Sequence, residues 1–197
     1  MINVELKGLK QKRERYKKAS EFVKGMVLGY ANIDAYSTIL LFQKNLLING
    51  FHLKELKPST IARKRKNKYR WPEMPLVGIG KKKGINTLYS SLRLEKLDNG
   101  TRVYVSKDQH HGADRSLEYL FGVHEKGCTI QRGETTIKIP PRPAFKRAIQ
   151  MGRKEAKGLR KSRLKEMRKA IQIYAETGDM NLIRVIANFR KLGKKFE

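Results

Sequence analysis

Tyr119-Leu-Phe-Gly-Val-His-Glu-Lys-Gly127, then Cys128 to Ile139, then Pro140-Pro-Arg-Pro143-Ala-Phe145, is the stretch on which the reading of the fold turns. Ser116 to His124 predicts a short helix, and Gly127 a break. Cys128 to Gln131 and Thr135 to Ile139 predict two strands around Arg132-Gly133, with Ile130, Ile137 and Ile139 as inward positions. Three prolines within Pro140 to Pro143 exclude a central strand and predict an extended elbow, after which Pro143 or Ala144 suits the first turn of a helix.

That helix should be long and basic. Phe145, Ile149, Gly152, Ala156 and Leu159 step by four and three, and Leu164, Met167, Ile171 and Tyr174 resume one residue out of phase near Gly158. Between Lys146 and Lys169 eleven Lys or Arg stand against Glu155 and Glu166. Thr177-Gly178-Asp179 ends it, and Asp179 caps a last helix with Leu182, Val185, Ile186, Phe189 and Leu192 apolar. This C-terminal pair reads as an appendage whose stripe needs a partner.

Upstream of the stretch, Asp98-Asn99-Gly100 marks a hairpin, because both Asn and Gly tolerate positive φ. Leu92 and Leu94 on one arm and Val103 and Val105 on the other share its buried face. Toward the N-terminus, alternation from Ile2 to Leu6 predicts a short strand. Two helices follow, the first weakened at Gly25 and Gly29, the second capped by Asp34 and closed by Gly50. The fold class is therefore α+β: a small antiparallel sheet of hairpins packed by N-terminal helices, with a long basic C-terminal helical extension. Residues 1–150 form the α+β domain and 151–197 the extension.

The chain has 197 residues, and 45 Lys plus Arg against 18 Asp plus Glu give a net charge of +27. So large an excess calls for a polyanion or an acidic protein nearby. A second basic block, Lys57 to Lys83, is loop-like and holds ten Lys or Arg with one acid, Glu73. Pro58-Ser59-Thr60 starts a short helix in it, stopped before Pro72. Trp71 and Tyr69 either stack on bases there or, for Trp71, pin the loop to the core. Candidate contacts to DNA or acidic partners are Arg63, Lys64, Arg65, Lys66, Lys68, Arg70, Lys81, Lys82 and Lys83 in this block, and Arg153, Lys154, Arg160 and Lys161 in the long helix.

One cysteine, Cys128, rules out an internal disulfide. The N-terminus lacks a signal-peptide pattern and no apolar run approaches the roughly 20 residues that span a bilayer, so a soluble protein made in the cytoplasm is expected. His124-Glu125 begins a zinc-protease motif, but position 128 is Cys and not His. His110, His111, Asp114 and Cys128 match no standard zinc spacing. Gly78-Ile-Gly80-Lys-Lys-Lys-Gly84 lacks the Gly-Lys-Ser/Thr ending of a phosphate loop. Neither catalysis nor a cofactor or metal is expected, and no motif for base-specific readout is present.

Several pieces resemble one known pattern. Leu56-Lys-Pro58-Ser-Thr60, Pro75-Leu-Val-Gly-Ile-Gly80 and Leu88-Tyr-Ser-Ser91 precede Tyr119 to His124 to Gly127 and Ile139-Pro-Pro-Arg-Pro143-Ala-Phe145. In this order, from about Leu40 to Ile149, they resemble the tailed-bacteriophage virion-morphogenesis or tail-completion family, the neck proteins that join head to tail. Lys81-Lys-Lys-Gly84 is extra, Ala144 separates Pro143 from Phe145, and the helices after Gly152 exceed the pattern. The resemblance implies an α+β ring subunit without an active site, often in a hexamer, built into the virion neck after assembly in the host cytoplasm. Its partners would be further copies, the portal or adaptor and tail-terminator proteins, and packaged DNA. Tyr119, His124, Pro141, Arg142, Pro143 and Phe145 become subunit or partner contacts, Arg142 being held at a fixed projection toward an acidic group or a backbone carbonyl. A purely structural elbow fits the same residues, and a basic nucleic-acid-binding protein of ribosomal or chromatin type is the alternative function.

Overall fold

The computed structural model describes residues 8–77, 87–109 and 115–188. The expected strand from Ile2 to Leu6 lies outside them, as do Phe189 and Leu192 of the last helix. The order is α1 (Leu9–Leu47), α2 (Pro58–Lys66), a one-turn 3₁₀ helix (Leu88–Ser90), β1 (Leu92–Leu97), β2 (Gly100–Val105), α3 (Leu117–Lys126), β3 (Cys128–Arg132), β4 (Thr135–Ile139), α4 (Ala144–Thr177) and α5 (Asn181–Asn188). The class is α+β, with two small antiparallel two-stranded sheets, β1-β2 and β3-β4. Contacts group the chain into two compact units, residues 1–36, 96–101 and 154–197 in one, 37–95 and 102–153 in the other.

The two expected N-terminal helices prove to be one helix of 39 residues, α1. Gly25 and Gly29, expected to weaken the first helix, serve packing instead. A Cβ on Gly29 would lie 2.2 Å from the Ile186 carbonyl oxygen, and one on Gly25 would meet the Ala187 Cβ at 3.6 Å. Helix α5 lies so close at Gly29 that only glycine fits; the local cost of glycine in a helix, about 1 kcal/mol, is offset by that approach. Asp34 is not a cap either. Its carboxylate pairs with Arg163 at 2.6 Å.

Part of the apolar stripe of α4 and α5, expected to await a partner, is covered within the chain. Met167, Ala170, Tyr174, Ile183 and Ile186 are buried in one cluster with Ala19 and Met26 of α1. Phe22 meets Tyr174 edge to face at 5.0 Å. Arg15 donates to the Glu176 carbonyl oxygen at 3.0 Å, placing a cation where the end of α4 leaves carbonyls unpaired. Gly178, at φ 82, closes α4 with its N–H on the Tyr174 carbonyl. Leu159, Leu164 and Val185 stay exposed.

The second unit has its own core of Phe42, Leu46, Phe51, Leu53, Val77, Leu88, Leu92, Leu117, Phe121, Ala144 and Ala148. Trp71, Val103 and Val105 pack partly buried against it, so Trp71 pins the basic loop. Pro58 sits in the first turn of α2, as its fixed φ favours. Ser91 is fully buried and its hydroxyl donates to the Leu88 carbonyl at 2.7 Å, which accounts for the Leu-x-x-Ser spacing.

Strands β3 and β4 pair with Cys128 opposite Ile139, Ile130 opposite Ile137 and Arg132 opposite Thr135. Ile130 and Ile137, expected inside, are 44% and 42% exposed. The strands alternate as expected, but no layer of described residues covers the face that carries Ile130 and Ile137, so these two are not inward.

Candidate assembly joint

The joint is built from the end of α3, the β3-β4 hairpin and the start of α4. Ser116 opens α3 by accepting the Tyr119 N–H at 3.1 Å, and Leu117 and Phe121 anchor the helix in the core. At its other end Gly127 takes φ 73, and a Cβ there would lie 2.8 Å from the Ile139 carbonyl oxygen and 2.9 Å from the Pro141 nitrogen. Gly127 is thus required twice, by its conformation and by the backbone that crosses it.

Two further links close the joint. The Arg142 N–H donates to the His124 carbonyl at 2.6 Å. The Glu125 carboxylate accepts the Phe145 N–H at the start of α4, where orphan backbone donors and the helix dipole favour an anion. Burial raises the Glu125 carboxyl above its ordinary range, opposed by bonds from the Phe145 and Lys146 backbone. Phe145 meets Phe121 edge to face at 5.6 Å, and Ala144 is fully buried.

Arg142 does not project. It is 7% exposed, and its Nε and Nη2 donate to the Lys54 and Glu55 carbonyl oxygens at 3.1 and 3.4 Å. Burial draws the guanidinium below its usual value, but an arginine keeps its charge. Of the two targets foreseen for it, the backbone carbonyl is the one occupied, and it belongs to the same chain. His124 and Pro143 are half-buried and Phe145 packs on the core, so Tyr119, 55% exposed, and Pro141 are the outward members of the set.

The basic candidates divide in the same way. Arg63, Lys66 and Lys68 are exposed, while Arg65 pairs with Glu73 at 2.7 Å and Arg70 lies 4.7 Å over the Trp71 ring. Lys64 is half-buried with its ammonium on the Met74 and Trp71 carbonyls, and burial lowers its pKa to about 8. Lys81, Lys82 and Lys83 lie outside the described residues. Arg153, Lys154, Arg160 and Lys161 are exposed on α4. Lys161 also lines an open cavity of about 690 Å³ with Ser162, Leu164, Lys165 and Arg168. Lys10, Lys12, Arg13, Lys17 and Lys18 of α1 are exposed as well, a basic surface outside both basic blocks of the sequence reading.

Sequence reasoning also missed Glu125 as the clasp of α4. It stands 20 residues from the amide it holds, so no local spacing reveals it. Among the described residues no group of three His, Cys, Asp or Glu could hold a metal ion, and no helix is long and apolar enough to cross a membrane. Compared with protein-family models, with curated proteins and with solved structures, the chain gives no match.

Proposed function

We propose that the chain is a structural subunit of a tailed-phage neck, a tail-completion protein that assembles as a ring and helps join the DNA-filled head to the tail. The observation that supports this reading is the closure of the joint. Tyr-x-x-x-x-His-x-x-Gly and Ile-Pro-x-Arg-Pro are separate in sequence, yet the His124 carbonyl accepts the Arg142 N–H and Gly127 makes room for the Ile139 carbonyl. The residues that carry the resemblance are those the local fold needs, and their work is positional. In this reading the exposed lysines and arginines of α1, α2 and α4 meet packaged DNA or the acidic surfaces of neighbouring rings, and sequence-independent attraction suits DNA that must slide.

The test is a phage lacking this chain. Filled heads and free tails should accumulate unjoined, and normal virions from the deletion end the neck reading. A second reading, a basic nucleic-acid-binding protein, is favoured by the exposed cations of α1 and α4. Tight, steeply salt-dependent duplex binding by the isolated monomer, together with normal particles from the deletion, selects it.

A further inference from the structure

Helix α4 carries cations in a line. Lys154, Lys157, Lys161, Lys165 and Arg168 follow one another by three, four, four and three residues, which places them on one side of the helix over about 21 Å. All five are exposed. The acids of the same span lie elsewhere, Glu155 and Glu166 standing roughly 120° or more around the helix from the middle of the line. Glu166 accepts the Tyr30 hydroxyl, and Arg163, on the opposite side, pairs with Asp34 at 2.6 Å. Packing against α1 thus uses charges that have partners there and leaves a line of one sign outside. Lys161, Lys165 and Arg168 of the line also border the open cavity, with Ser162 and Leu164.

A solvated helix face is steadied by opposite charges three and four residues apart. The first half of α1 follows that rule, since Lys10, Lys17, Lys18 and Lys24 each have Glu14 or Glu21 at one of these spacings. No member of the α4 line has an acid at either spacing, and its neighbouring pairs are all like charges that work against the helix. A polyanion lying along the line relieves that repulsion. Composition selects the polyanion. Four of the five cations are lysine, a residue depleted at protein interfaces, and no aromatic residue stands between Lys154 and Arg168 to anchor a protein partner. Lysine meets phosphate as a point charge, and a duplex presents phosphates without interruption, one charge per about 1.7 Å of its axis.

We propose that this line is where the chain binds duplex DNA, in preference to the basic surfaces of α1 and α2: its five cations meet backbone phosphates and read no base. The proposal rests on the DNA contact in the reading above and not on the neck itself. Of the two partners named there for the basic surface, it assigns phosphate to α4 and not an acidic protein.

The experiment measures the affinity of the full chain for a short DNA duplex by fluorescence anisotropy over rising salt. Wild type is compared with two triple variants that each lose three positive charges. One carries Lys157→Gln, Lys161→Gln and Lys165→Gln, the other Lys10→Gln, Lys17→Gln and Lys18→Gln. All six positions are exposed and glutamine sustains a helix, so both variants should keep the circular dichroism of wild type. In a plot of log affinity against log salt the α4 variant should lose about 3 from the slope, and the α1 variant less than about 1. An equal or larger loss in the α1 variant overturns the proposal, because the attraction then follows total charge. A wild type that leaves the duplex unbound at low salt overturns it too, as does one that binds polyglutamate at least as tightly as the duplex, the mark of an acidic protein partner. None of these results decides the neck reading, which stands or falls with the joining of heads to tails.

Discussion

The two hairpins of this chain are built alike and used differently. β1 and β2 have six residues each, β3 and β4 five each, and all run antiparallel with apolar residues at alternate positions. In the first, Leu92 is 5% exposed and Val103 and Val105 pack on the core; in the second, Ile130 and Ile137 face outward. Alternation fixes which residues share a face, and only the surrounding layers decide whether that face is covered. The turns invert expectation too. Asn99-Gly100, the stronger turn signal, closes its hairpin without either residue joining the positive-φ set, whereas Gly133 adopts φ 58.

Side-chain truncation should separate the two hairpins most. Leu92→Ala should cost about 3 kcal/mol, since a buried leucine leaves a cavity. Ile137→Ala should stay within about 0.5 kcal/mol in the dilute monomer, because an exposed side chain loses little. Urea unfolding of both variants measures the difference, and equal losses would mean that the second ribbon is covered in the monomer. Gly127→Ala, at the root of β3, should cost about 2 kcal/mol from its extended positive-φ conformation alone, with more from the Pro141 collision. At the turns, Gly133→Ala should cost about 1 kcal/mol and Gly100→Ala distinctly less. A Cβ at Gly100 meets nothing within 4 Å.

The smallest effect concerns pH. The raised Glu125 carboxyl means that the folded state holds this proton more tightly than the unfolded chain. Its contribution is fully present below the ordinary glutamate value and is lost as pH rises through the folded value. Glu125→Gln keeps an oxygen for the Phe145 N–H and removes the titration. Its stability relative to wild type should therefore rise with pH across that window. A flat difference between the two would show that the clasp does not titrate there.

The elements themselves were plain in the sequence wherever period and punctuation agreed. Pro143-Ala144 opened α4, Thr177-Gly178 closed it, and Pro58 opened α2. Glycine was harder, since Gly25 and Gly29 carry the same local propensity whether they end a helix or seat another one, and the difference is made by Ile186, some 160 residues away. Arg142 shows the same limit. Its place in an elbow followed from the prolines, but its burial on Lys54 and Glu55 depends on a segment 88 residues earlier. Of the joint, Gly127, Arg142 and Phe145 are marked by motif; Glu125 is not, because a carboxylate clasp has no spacing of its own.

The bond from Arg15 to the Glu176 carbonyl spans 161 positions of sequence, and it bears on the order in which the chain is finished. During synthesis the unit containing residues 37–95 and 102–153 has all its own strands and core residues before α4 is complete. The first half of α1, though made earliest, keeps Ala19, Phe22 and Met26 bare until Met167 to Ile186 emerge. A ribosome paused between those points therefore holds a chain with one core whose residues are all made and one naked apolar stripe, the kind of intermediate that aggregates without chaperones.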